Sequence, residues 1–309
     1  MAATLQTAAS VFGEGKLKVG SISIGPLHGS PPRPPKPLLI ISPSEGGEYP
    51  VVLFFHGFEI KNFDYTVLFR HIASHGFVVV APQLYVLLEE SETEVKDAGE
   101  VADWLVHNLE PVLPVGVKPN LLKVALAGHS RGGHTAFSLA LNLARNPTHQ
   151  IFNFSALVGV DPVAGQSKSD QIKPEILDFK PGSFDLGGAP VMVIGSGLGD
   201  ESIAFPFPPC APEGVSHKEF YYECRPTCCH FVVEEYGHMD MLDDGAEKAL
   251  SCVCKHGKTR EPMRRSVGGL TVAFLKAYFE GMKGYLVAIV DGADTIAPAR
   301  LNPAVLREE

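Results

Sequence analysis

Unbroken runs of Val, Ile, Leu and Phe alternate along this chain with longer stretches whose apolar positions recur every three or four residues. The first kind is what a strand buried on both faces looks like; the second marks a helix with one face against a core. "KLKVGSISI" and "PLLIIS" read as an opening strand pair, and "YPVVLFFHGF" as a third strand ending in a turn. "FDYTVLFRHIASHG" predicts a helix stopped by Gly76, and "FVVVAP" a strand stopped by Pro82. Ala98, Ala102, Leu105 and Leu109 share a helical face within "EVKDAGEVADWLVHNLEPVL". "LLKVALAG" is then a strand and "GHTAFSLALNLAR" a helix; "SALVGVDP", "APVMVIGSG" and "HFVVEEYG" are further strands, and "VGGLTVAFLKAYFEGM" a closing helix. Strands alternating with helices require right-handed crossovers, hence an α/β fold with a mainly parallel sheet and helices on both faces. Functional loops then gather at the carboxyl ends of the strands.

Composition narrows this picture without redrawing it. With 45% hydrophobic and 20% charged residues, the 309-residue chain has enough apolar mass for a sizeable core. A net charge of −9 argues against a nucleic-acid partner, which needs clustered Lys and Arg. The longest apolar run, 77–88, is broken by Pro82 and Gln83 and falls short of the roughly 18 residues of a membrane span. Residues 1–15, rich in Ala, Thr and Ser, read as a flexible tail, and the Pro-rich stretch 28–37 as a stiff connector. No internal repeat or second change of composition divides the chain, so 1–309 reads as one domain.

The chemistry concentrates at "ALAGHSRGGHTA", where a strand gives way to a helix through Gly128-His129-Ser130-Arg131-Gly132. G-x-S-x-G alone is a weak signal, but between a strand and a helix it is a nucleophile elbow. Glycines on both sides let strand and helix pass close together, which an ordinary N-capping serine does not require. A serine hydroxyl is a weak nucleophile and needs a base, an orienting acid and an oxyanion hole. His238, after the strand "HFVVEE" and beyond Gly237, is the candidate base. His129 and His134 adjoin the serine in sequence and are aimed elsewhere by the elbow; His56 belongs to a different motif. Two carboxylates end strands within reach of an imidazole, Asp161 in "VGVDPV" and Asp200 in "VIGSGLGD". Asp161 is favoured, Asp200 stays open, and the loser is expected to cap a helix or pair with Arg131. The oxyanion donors are the backbone N–H of Arg131 and that of Phe58 at the "FFHGF" turn, with Gly57 as the alternative to Phe58.

"GSGLGD" lacks the third glycine of a dinucleotide loop, "HGKT" lacks the first glycine of a P-loop, and H-E-x-x-H is absent; none of these motifs, nor the proposed chemistry, calls for a cofactor or metal. All six cysteines fall between Cys210 and Cys254. Their spacing fits no usual zinc pattern, which leaves buried thiols, one or more disulfides, or a metal site as readings.

"GHSRGG", "HIASHGFVVVAPQLY" and "VVLFFHGF", followed in order by "GVDPV" and "EYGHMDMLDD", resemble the plant chlorophyllases over roughly residues 16–282. The resemblance implies an α/β-hydrolase fold and a cofactor-free serine hydrolase that cuts the phytyl ester of chlorophyll to chlorophyllide and phytol. It also places the acid in the GVDPV segment, supporting Asp161, and implies a chloroplast location, with a cytosolic or endomembrane-associated one as the alternative. Independently, two rim segments are unusually apolar for loops, "LYVLL" (Leu84 to Leu88) and "IAFPFPPCAP" (Ile203 to Pro212). They suit a bulky apolar ester or a membrane surface, or else pack on each other as a lid. The competing readings are a general carboxylesterase or lipase and a non-catalytic hydrolase-fold binding protein. The latter usually lacks the nucleophile or the base, and both are present here.

Overall fold

In a computed structural model, which describes residues 8–26, 33–85, 90–145, 152–246, 253–292 and 295–308, the apolar runs assemble into one nine-stranded sheet. The strands are β1 (Val19–Ile24), β2 (Leu38–Pro43), β3 (Gly47–Phe55), β4 (Val78–Pro82), β5 (Val117–His129), β6 (Ala156–Val160), β9 (Val191–Ser196), β10 (Cys228–Val233) and β11 (Leu301–Arg307). A small separate hairpin pairs β7 (Gly165–Ser167) with β8 (Asp170–Gln171). The order across the sheet is β1-β2-β4-β3-β5-β6-β9-β10-β11. From β4 to β10 every neighbour is parallel; β1 and β2 at one edge and β11 at the other are antiparallel. The helices are α1 (Thr66–Ser74), α2 (Ser91–Asn108), α3 (Arg131–Arg145), α4 (His217–Glu223), α5 (Glu261–Phe279) and α6 (Gly284–Asp291). This is the α/β-hydrolase arrangement.

The central strands read as continuous apolar runs because both of their faces are covered. On β3, Val51, Leu53 and Phe55 join the core under α2 and α3, while Val52 and Phe54 join the core under α1 and α5. A strand's side chains alternate between faces, so one run supplies two cores.

Three expectations are corrected. The opening segment is docked from Ala8 onward: Val11 and Phe12 are buried, and Phe12 and Gly13 carbonyls accept hydrogen bonds from Arg265 and His75. A flexible tail over 1–15 therefore does not describe residues 8–15, while 1–7 lie outside the described residues. The chain does not close on the helix over 267–282; α6 and β11 follow, and Pro303 in β11 is tolerated because the strand is at the sheet edge. Of the apolar stretch Leu84 to Leu88, Leu84 and Tyr85 are core residues rather than rim, and 86–88 lie outside the described residues.

Candidate active site

β5 ends at His129 and α3 begins at Arg131, leaving Ser130 alone at the turn with φ of 57°. That backbone conformation is rare for a residue with a Cβ and signals a constrained turn. The flanking glycines have a steric reason. A Cβ on Gly128 would stand 2.1 Å from the Gly132 carbonyl oxygen, and one on Gly132 would stand 2.3 Å from the carbonyl oxygens of Phe55 and His56. The elbow therefore closes only without those side chains, and Ser130 is left facing a cavity at the carboxyl edge of the sheet.

The segment after β10 returns His238 to this edge. Its Nε2 lies 2.8 Å from Ser130 Oγ, and its Nδ1 lies 2.8 Å from Asp161 Oδ2. All three side chains are buried, and Asp161 is fully so. Burial alone would raise the Asp161 carboxyl, but the hydrogen bond and charge of His238, with His217 and Ser196, overcome it and hold the group below the ordinary carboxylate range. Ser196, the last residue of β9, donates both its hydroxyl and its backbone N–H to Asp161. Asp200 is elsewhere: it forms an exposed ion pair with Lys218 at 3.0 Å. It does not meet Arg131, whose Nε donates to the buried Glu94 at 2.6 Å, with Thr135 Oγ1 donating to the other oxygen of that carboxylate.

The turn after β3 lies against the elbow. Gly57 N–H donates to Tyr65 Oη at 3.0 Å, so this donor is already committed. Phe58 lines the cavity beside Ser130, Arg131 and His238. Its ring lies 5.4 Å from the Arg131 guanidinium, which also lies 5.1 Å from the Tyr85 ring. His56 braces the same turn from behind, donating from Nδ1 to Gly57 O and accepting Leu84 N–H at Nε2. Burial lowers His56 to about 4 and keeps it neutral. His134 turns away to the Pro174 carbonyl, and His129 to the Tyr65 hydroxyl and the His238 carbonyl. Neither histidine reaches the Ser130 hydroxyl. Tyr65 and Glu94 stand in no motif, and Ser196 lies within "GSGLGD", where nothing in the sequence signals its bond to Asp161.

The cavity measures about 510 Å³, within the range of small-molecule sites. Ile60, Val163, Ile172, Phe207, Met239 and Val253 make its wall largely apolar. A disulfide between Cys210 and Cys254 ties the apolar loop after β9 to the segment before α5, and both cysteines line the cavity. Cys224, Cys228 and Cys229 are free and buried, with burial raising each thiol; Cys252 lies outside the described residues. No grouping of His, Cys, Asp and Glu suited to a metal ion occurs among the described residues.

Comparison with known proteins supplies what geometry alone does not. The chlorophyllase family profile matches residues 7–308. Chlorophyllase-2 of Arabidopsis thaliana is 47% identical over 284 residues, covering 90% of this chain and 89% of the relative. Chlorophyllase-1 of the same plant is 45% identical over 306 residues, covering 97% and 93%. A Citrus unshiu protein named "Chlorophyllase-1, chloroplastic" is 45% identical over 280 residues, covering 88% and 81%. A match over nearly the whole length, on a sheet whose elbow serine faces an apolar cavity, makes this chain a member of the chlorophyllase family.

Proposed function

We propose that this protein hydrolyses the phytyl ester of chlorophyll, releasing chlorophyllide and phytol, with Ser130 as nucleophile, His238 as base and Asp161 as the orienting acid. The observation that carries the reading is the unbroken hydrogen-bonded series from Ser130 Oγ through the His238 ring to Asp161 Oδ2, opening onto an apolar cavity in a member of this family. His238 Nε2 accepts the Ser130 proton as Oγ attacks the ester carbonyl carbon. The N–H groups of Phe58 and Arg131 hold the oxyanion that forms. The imidazolium, steadied by Asp161, then protonates the departing phytol oxygen, leaving the chlorophyllide acyl group on Ser130. Water gives a proton to the same imidazole, attacks the acyl-enzyme, and releases the acid as Ser130 recovers its proton.

Chlorophyll resides in membranes, and the loop beside the cavity suits contact with a lipid surface. Ile203, Phe205 and Phe207 are exposed there, Phe205 at 98%, while Phe207 also lines the cavity. The apolar edge thus runs from the exterior into the site, and we assign it to peripheral contact with a chloroplast membrane; a relative bears the word chloroplastic in its name. No helix among the described residues is long and apolar enough to cross a membrane.

The decisive assay gives the protein chlorophyll and a short-chain nitrophenyl ester in competition and separates chlorophyllide by its acidity. Conversion of chlorophyll that disappears in Ser130→Ala supports the reading. A strong preference for the short ester would make the protein a general carboxylesterase. A fluorophosphonate that fails to label Ser130 would point to a binding protein.

A further inference from the structure

Gly57 N–H, Tyr65 Oη, the His129 ring and the His238 carbonyl form a continuous hydrogen-bonded line behind the elbow, with separations of 3.0, 2.7 and 2.9 Å. Its direction is forced. The His238 carbonyl only accepts, so His129 carries its proton on Nε2 and accepts on Nδ1; Tyr65 must then donate to Nδ1 and accept from Gly57. Every group is buried, which makes an unmade bond here costly. Burial, and next the proximity of His238, lower His129 well below the ordinary histidine value, so the ring stays neutral and its tautomer fixed. The line is short in space. A Cβ on Gly57 would stand 3.1 Å from His129 Nδ1 and 3.2 Å from Ser130 Cβ, and the His129 and His238 rings are 4.6 Å apart.

We infer that Tyr65 and His129 are positioning residues that lock the oxyanion turn and the base-bearing loop to each other across the nucleophile. The inference rests on the roles proposed above for Phe58 and His238. The Gly57 N–H, held by Tyr65, fixes the His56–Gly57 peptide, the one immediately before the peptide that carries Phe58 N–H. The His238 carbonyl, held by His129, sets the backbone from which the imidazole projects toward Ser130. These two parts of the site lie far apart in the chain, and Tyr65 lies just ahead of α1, outside any motif of the site. A catalytic geometry loosened by an ångström loses rate out of proportion to the displacement, and the loss falls on the transition state rather than on substrate binding.

Tyr65→Phe is the test, because the ring contacts with Phe54 and Phe69 survive and only the hydroxyl goes. Steady-state turnover of chlorophyll is measured beside the inhibition constant of an aryl trifluoromethyl ketone, which mimics the tetrahedral intermediate. The expected result is a kcat lower by roughly 10- to 100-fold, a KM within about twofold, and weakening of the ketone by the same factor as kcat/KM. His129→Leu should behave alike, and adding Tyr65→Phe to it should cost nothing further, because the line is already cut. His129→Gln, which keeps an N–H near the position of Nε2, should recover part of the loss. A Tyr65→Phe enzyme with native kcat, or one whose KM rises while ketone affinity holds, overturns the inference. Ser130→Ala separates the two claims: an active alanine variant defeats the proposed hydrolase chemistry, whereas a dead alanine variant beside a native Tyr65→Phe defeats only the positioning line.

Discussion

Asp161 and Ser196 meet side by side at the ends of two neighbouring parallel strands, β6 and β9, and Ser196 gives the carboxylate two hydrogen bonds while His238 takes a third position on it. The carboxylate is thus held by the sheet itself. Its orientation follows from the strand register, with no need of a mobile loop. Asp200, four residues beyond Ser196, has left the sheet and is spent on an exposed pair with Lys218.

Exchanging the two carboxylates for amides separates them. Asp161→Asn replaces a carboxylate oxygen with an NH2 donor, favouring the wrong His238 tautomer, and removes the charge that steadies the imidazolium, so kcat should fall by about 10³- to 10⁴-fold with the fold retained. Asp200→Asn breaks only a surface ion pair and should leave kcat within about twofold. Chlorophyllide formation by the two variants, assayed in parallel, checks both; the reverse ranking would transfer the acid role to Asp200.

Gly132 should tolerate no side chain. Its added Cβ meets two backbone carbonyls of the neighbouring strand end, neither of which can rotate away. Gly132→Ala should cost about 3 kcal/mol or more, at the high end for a single substitution. Gly284, at the start of α6, has open space around it, and alanine there should change stability by about 1 kcal/mol or less. Denaturant midpoints of the two variants give the comparison directly.

Buried and half-buried histidines should weaken the fold at acid pH. Burial chiefly lowers His56, His71 and His134 to about 4 each, against an ordinary value of 6.5. Between those values the unfolded chain binds protons that the folded protein refuses. Stability contributed by the neutral rings is therefore full above pH 6.5 and is lost as pH falls toward 4. Each ring adds roughly 1.4 kcal/mol per pH unit to that slope. Thermal midpoints from pH 7 to pH 4.5 should show the decline, and His71→Gln should flatten it; an unchanged slope in that variant would remove His71 from the account.

Phe205 should matter at a lipid surface and nowhere else. It is almost wholly exposed, so Phe205→Ser leaves the core intact. Burial of one Phe in an apolar phase is worth roughly 1.5–3 kcal/mol, and the variant should bind galactolipid vesicles about tenfold more weakly. Cosedimentation measures this, with turnover of a detergent-dispersed ester as the control that should not move. Equal vesicle binding by both proteins would remove the loop from membrane contact.

The sequence by itself determined the strand and helix alternation, the elbow at Ser130 and the return of a histidine after the last parallel strand. These follow from the period of apolar side chains and from glycines at a crowded turn, which are local properties of the chain. Strand β11 is not legible in the sequence because an edge strand carrying Asn302 and Pro303 has no continuous apolar run, nor is α4, because seven residues hold too few turns to display a period. What only the tertiary structure decided are choices among residues far apart in the chain. Asp161 and Asp200 both end strands, and the strand register brings just one of them to His238, 77 residues away. Gly57 and Phe58 both offer an amide, and a hydroxyl from Tyr65 takes the first. Cys210 finds Cys254 across a separation of 44 residues. A linear pattern records which face a side chain occupies; it does not record what another segment brings to that face.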